Sequence, residues 1–183
     1  YEEIKSFWTD FFGMMLDLAR FPKPTIAAIS GHSPAGGAII AITCDHRFMA
    51  EGDKYTIGLN EVAVGILISE PIFHLYSFWL GKRNAYQALL AGKLFHVLEA
   101  QKVGLVDEIH PLEELLGKAE DKMQQLLGAN FFILSETKKI MRKELWEKLS
   151  VDLSGELEAR AKYWMSPQSQ ESIKRIENIA TTV

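Results

Sequence analysis

Seven small or polar residues, Gly31-His32-Ser33-Pro34-Ala35-Gly36-Gly37, lie between the apolar run Thr25-Ile26-Ala27-Ala28-Ile29 and a second apolar stretch, Ile39 to Cys44. Placed between a buried strand and a helix, such residues leave backbone N–H groups open at the positive end of the helix dipole, where an anionic oxygen is stabilised. Gly36 and Gly37 would serve equally well to let that helix pack close to its neighbours, and local chemistry does not choose between the two roles. The segment is not a phosphate loop, because Ala38-Ile39 follows where a Walker pattern needs Lys-Ser or Lys-Thr. Glu61 is the second candidate. It follows Gly58-Leu59-Asn60 and precedes Val62-Ala63-Val64, an apolar setting that would raise a carboxyl pKa toward that of a working base. The alternative, the commoner one for a lone Glu, is a solvated loop residue or a helix-start charge.

Other chemistry has less support. His32, His46, His74, His96 and His110 are scattered without ligand spacing, so no metal site is expected. Ser33 and Ser69 lack a Gly-x-Ser-x-Gly elbow, and Cys44 sits in an apolar run with only His46 close by in sequence. Lys138, Lys139, Arg142 and Lys143 read as a solvated basic face rather than a phosphate site.

The elements that must hold these residues follow from periodicity. Ile4, Phe7, Trp8, Phe11, Phe12, Met15, Leu16 and Leu18 predict an amphipathic helix up to Arg20, stopped by Pro22 and Pro24. Thr25 to Ile29, Arg47 to Ala50, Tyr55 to Ile57 and Leu105 to Ile109 predict short buried strands, with a helix over Ile39 to Cys44 and the apolar run Val62 to Ile68 among them. Helices are expected over 72–80, 83–90, 97–103, 112–127, 131–149, 151–164 and 169–179. This alternation argues for α/β architecture, with a core over residues 1–110 and a helical region over 111–183 for packing and oligomerisation.

With 183 residues, of which 48% are hydrophobic and 10% aromatic, the chain can bury a sizeable core. Twenty Lys and Arg against 24 Asp and Glu give a net charge of −4, which argues against a nucleic-acid binder. One cysteine excludes an intrachain disulfide framework. No apolar run approaches the roughly 20 residues of a membrane span. The opening Tyr1-Glu2-Glu3-Ile4-Lys5 has no initiator Met, cationic n-region or apolar h-region, so the true N-terminus is expected to lie elsewhere.

Three linked stretches resemble the crotonase, or enoyl-CoA hydratase/isomerase, superfamily. They are Pro24 to Gly31 with Pro34-Ala35-Gly36-Gly37 and Cys44-Asp45; Tyr55 to Glu61 with Gly65; and Ala85 to Gly92 with Glu99-Ala100 and Gly104-Leu105-Val106-Asp107. The resemblance implies a ββα spiral core whose N-terminal part, with a second oxyanion-hole N–H and much of the coenzyme A surface, lies outside these residues. It implies Gly36 as an oxyanion donor, Glu61 as the acid/base, and Pro34, Ala35, Gly37, Ile39 and Leu59 as substrate-binding residues. Hydratases of the family carry a second glutamate where this chain has Ile39, and one carboxylate favours isomerisation over hydration. The segments Pro34-Ala35-Gly36-Gly37 and Gly58-Leu59-Asn60-Glu61 are most similar to those of Δ3,Δ2-enoyl-CoA isomerases of fatty-acid β-oxidation. The usual hydratase Ile-Pro-Gly is replaced by Leu67-Ile68-Ser69, followed by Glu70-Pro71, and Glu70 at a helix start is expected to cap or face solvent.

The same resemblance implies an acyl-CoA substrate, with coenzyme A entering as part of the thioester and no separate cofactor, and a homotrimer or hexamer to which Trp164 and Met165 would contribute unless Trp164 belongs to the core. It leaves open hydration, thioester hydrolysis or decarboxylation, or a scaffold with little turnover. The compartment would be cytoplasmic for a bacterial enzyme and mitochondrial or peroxisomal for a eukaryotic one, although the chain does not end in the peroxisomal Ser-Lys-Leu.

Overall fold

The computed structural model describes residues 1–180, with side chains as far as Lys174; Thr181, Thr182 and Val183, the ending considered above, lie outside the described residues. The first helix, α1 (Glu2–Arg20), buries Trp8, Phe12, Met15 and Ala19 at steps of three and four. After the prolines come β1 (Ile26–Ile29), β2 (Ser33–Pro34), α2 (Gly36–Thr43), β3 (His46–Ala50) and β4 (Thr56–Gly58). The chain continues through α3 (Glu70–Leu80), α4 (Lys82–Leu90), β5 (Leu94–His96), α5 (Val97–Lys102) and β6 (Glu108–His110). It ends in α6 (Leu112–Leu127), α7 (Phe131–Leu149), α8 (Ser154–Trp164) and α9 (Pro167–Ala180).

Two three-stranded sheets carry the core. One has the order β1-β3-β6 and is wholly parallel, as short apolar strands separated by helices require. The other has the order β2-β4-β5, parallel between β2 and β4 and antiparallel between β4 and β5. Alternation along β3 sends Phe48 and Ala50 to one face, under Leu115 and Ala119 of α6, and Met49 to the other, into the main core with α1, α2 and α3. Gly58 has φ 153°, and a Cβ there would come within 2.5 Å of the Lys93 carbonyl oxygen, so only glycine lets β4 lie this close to the chain entering β5.

Several expectations change. The helix after the small-residue segment starts at Gly36 rather than Ile39, so both glycines belong to its first turn. Val62 to Ile68 forms no helix or strand: residues 61–65 turn, and Val62 and Leu67 are exposed. Leu105 and Val106 are core residues ahead of the last strand, which is confined to Glu108–His110. The strands β2 and β5, of two and three residues, are too short to announce themselves by alternation.

The basic cluster is not a solvated face. Lys138 is 9% and Arg142 3% exposed, and both reach inward to Asp45: Lys138 Nζ donates to Oδ2 at 2.6 Å, and Arg142 lies 3.0 Å from Oδ1. Arg142 also donates to the Thr43 and Cys44 carbonyls at 2.8 and 3.1 Å, closing the C-terminal end of α2. Only Lys139 and Lys143 remain on the outside of α7. Trp164 is partly buried and packs against the core, its ring edge-on to Trp8 at 5.6 Å, whereas Met165 is exposed.

Candidate active site

The site is assembled by one strand pair. In the parallel pairing of β2 and β4, Pro34 lies opposite Gly58, and Ala35 N–H donates to the Gly58 carbonyl at 2.9 Å. Neighbouring strands run about 4.8 Å apart. Two residues beyond one strand stands Gly36 and three beyond the other stands Glu61, so the C-terminal ends of adjacent parallel strands deliver both candidates to the same edge of the sheet.

Ala35 is the N-cap of α2 and has φ 48° and ψ −116°, a conformation rare for any residue with a side chain. Holding it there costs about 1–3 kcal/mol, strain of a kind concentrated at functional turns. The reward is a sharp change of direction: the Ala35 carbonyl accepts from Ile39 N–H at 2.9 Å, and Gly36, Gly37 and Ala38 become the opening residues of a helix whose first amides have no intrahelical acceptor.

The two glycines divide the roles that local chemistry left open. A Cβ on Gly37 would come within 2.7 Å of Ser33 Oγ, whereas one on Gly36 would meet nothing within 4 Å. Packing inside the chain thus explains Gly37 and leaves Gly36 unexplained. Gly37→Ala is expected to lower stability by about 1–3 kcal/mol through overpacking. Ser33→Ala should relieve it, because Ser33 Cβ stands 3.6 Å away. Thermal melts of the two single variants and the double variant check this, and failure of Ser33→Ala to restore any stability would exclude the clash.

Glu61 is neither solvated nor at a helix start. It is 4% exposed and lies in the turn after β4, where its own carbonyl accepts from Ile66 N–H at 2.8 Å. Its Oε2 is buried without a hydrogen-bond partner. Burial pushes its pKa above the ordinary Glu value, and its own backbone N–H and the Arg160 charge only partly offset this. The buried Tyr76 of α3 is its neighbour: burial first, then the Glu61 charge, drives the Tyr76 phenol pKa upward. An unpartnered, desolvated carboxylate of this kind can take and return a proton.

The remaining candidates are unequally placed. Pro34 is exposed and Ala35 half-buried in the turn, while Ile39 and Leu59 are buried in the main core. An open groove of 590 Å³ runs along β1 to Ser33, Gly37 and Ile40. Glu70 points outward and pairs with His74 at 3.2 Å. Cys44 is buried, and desolvation raises its thiol pKa, which suits an inert core thiol.

The sequence profile of the enoyl-CoA hydratase/isomerase family matches residues 1–180. The chain belongs to that family. Rat mitochondrial enoyl-CoA delta isomerase 1 is 40% identical over 170 residues, covering 92% of this chain and 57% of the relative. The human protein of that name is 30% identical over 168 residues, covering 92% and 56%. The crystal structure of human mitochondrial Δ3,Δ2-enoyl-CoA isomerase superimposes with a TM-score of 0.91 at 28% identity, over 98% of this chain and 69% of that one. The chain therefore spans little more than half the length of the curated relatives it matches. Enoyl-CoA hydratase/isomerase architecture accounts for the mixed α/β core and the helical C-terminal region. Among the described residues no helix is long and apolar enough to cross a membrane.

Arg160 of α8, a buried cation whose charge favours ionised Glu61, is a residue that motif reading overlooks. Its signals were its spacing from Leu157 and Trp164, which puts a cation on the apolar face of α8, and Glu156 one turn earlier.

Proposed function

We propose that the protein moves the double bond of a 3-enoyl-CoA from C3 to C2, using Glu61 as its single acid/base. The observation that carries this reading is a lone buried carboxylate, raised in pKa, in the turn that follows the strand beside the one leading into the Gly36 turn; the family resemblance adds that Ile39 stands where hydratases carry a second glutamate. Exposed Val62 and Leu67, one and six residues after Glu61, offer apolar surface to an acyl chain.

In a 3-enoyl thioester the C2 protons are acidified by the carbonyl and by the double bond. The ionised Glu61 carboxylate takes one of them, and the electron pair spreads over a dienolate whose oxygen accepts from Gly36 N–H at the start of α2. A second donor belongs to the part of the family fold outside these residues. Glu61, now protonated, returns the proton at C4, leaving the conjugated 2-enoyl thioester and a regenerated carboxylate. No water enters the balance, which suits Ile39 and Leu59 as apolar surroundings that keep it out. The reading extends to a role in fatty-acid β-oxidation, to a mitochondrial location in line with the names of the rat and human relatives, and to assembly as a trimer or hexamer.

Incubating the full-length protein with a 3-enoyl-CoA and identifying products tests the reaction. Conversion to the 2-enoyl isomer without 3-hydroxyacyl-CoA is the expected result. Accumulation of 3-hydroxyacyl-CoA would move the assignment to hydration.

A further inference from the structure

Arg160 is a buried charge that the reaction above does not use. It is 2% exposed, with its guanidinium 4.7 Å from the centre of the Trp8 ring and 5.5 Å from that of Phe12. One terminal nitrogen donates to the Leu67 carbonyl at 2.5 Å and the other to Glu156 Oε1 at 3.0 Å, while Nε is buried without a partner. Burying a guanidinium with an open N–H is costly, and an apolar side chain would fill the same space between α1 and α8 more cheaply. Its contacts show what the cation does instead.

Leu67 lies in the segment that begins at Glu61, one residue beyond the Ile66 amide that closes the turn onto the Glu61 carbonyl. The guanidinium is thus one hydrogen bond and a short turn away from the backbone of the acid/base. It also acts directly on the carboxylate, as the cation whose charge favours ionised Glu61. Among the described residues, the titratable groups coupled to Glu61 are Tyr76 from α3 and Arg160 from α8, with Glu156 as Arg160's own partner on α8.

We propose that Arg160 is a positioning residue for Glu61, fixing the 61–69 segment through its hydrogen bond to the Leu67 carbonyl. Through it the C-terminal helical region braces the segment that carries Glu61. The role rests on Glu61 being the acid/base, and its test is chosen to stand apart from turnover.

In the full-length protein, the Glu61 carboxyl is titrated by 13C NMR, its resonance assigned by its loss in Glu61→Gln, in wild type, Arg160→Met and Arg160→Lys. The Met variant keeps the bulk and loses the charge: its Glu61 midpoint is expected to move to higher pH, the acid limb of the kcat profile to move with it, and kcat to fall about 10- to 100-fold with little change in KM. The Lys variant keeps the charge and loses the fork to Leu67 and Glu156, so its midpoint should stay near wild type while kcat falls less. A folded Arg160→Met protein whose Glu61 titrates as in wild type would overturn the proposal. Should Arg160→Met fail to fold, wild-type kcat in Arg160→Lys would overturn the positioning role on its own. A shifted midpoint in a protein that turns over no enoyl-CoA would support Arg160's role while removing the isomerase reading.

Discussion

In the Glu61→Gln protein, isomerisation of a 3-enoyl-CoA is expected to fall by about 1,000-fold or more with KM changed by less than about threefold, because a positioned acid/base contributes about 100- to 10,000-fold and acts only in the transition state. The same substitution should stabilise the fold at neutral pH. Wild-type Glu61 is buried with Oε2 unpartnered and its pKa raised by desolvation, so the folded protein holds the Glu61 proton more tightly than the unfolded chain does. Its contribution to stability is therefore full at acidic pH, below the unfolded Glu pKa, and is lost as pH rises through the folded value. Gln carries no charge to desolvate. Its advantage should be absent in acid and reach about 1–3 kcal/mol near neutrality, read as a Tm higher by several degrees. An inactive variant that melts at or below the wild-type temperature across this pH range would show that Glu61 is held by interactions the structure does not contain. Equal losses in affinity and rate would remove it from the chemistry.

Asp45→Asn is expected to destabilise the fold by about 3–5 kcal/mol, which is a Tm lower by about 10 °C. The Asp45 carboxylate accepts from Thr25 N–H at 2.8 Å and Thr25 Oγ1 at 3.0 Å, and it balances two buried cations, Lys138 and Arg142. Removing its charge leaves both uncompensated. Burial already lowers the Lys138 pKa and Asp45 opposes this, so without Asp45 the ammonium gives up its proton more readily in the folded protein. A folded state that binds fewer protons than the unfolded one gains stability as pH rises, and the deficit should be smaller at about pH 9 than at about pH 7. Asp45→Asn combined with Lys138→Met should recover part of the loss. Chemical denaturation at the two pH values measures all of this. A loss below about 1 kcal/mol would mean that solvent, not Asp45, balances the two cations.

What could be read from the residues alone depended on how local the signal was. Helices α6 and α7 are expected within their observed bounds because Pro111, Gly128 and Ser150 punctuate them; the structure adds Asn130, which accepts from Ile133 N–H as the cap of α7. The turn at Gly36 was visible as a cluster of small residues, and its role was undecided until the structure showed which glycine packing requires. For Glu61 the local reading leaned toward solvent; burial, set by chain distant in sequence, decided otherwise. Lys138 and Arg142 carried helical spacing and positive charge, which describe an exposed face when no partner is in view. Their partner lies 93 residues before Lys138, beyond the reach of any periodicity. The apolar run Val62 to Ile68 belongs to no regular element, and its Ile66 and Ile68 pack against the main core.

The grip of Arg142 on the end of α2 also sets an order of events during synthesis. The Thr43 carbonyl waits 99 residues for its donor, and at about 5–20 residues per second a ribosome takes about 5–20 s to supply it. Through that interval the helix that opens at Gly36 has an unsealed far end, and the Asp45 carboxylate has neither of its cations. A nascent chain that stops short of α7 would present an uncapped helix and an unbalanced carboxylate together, the kind of half-built surface that quality-control chaperones are suited to hold.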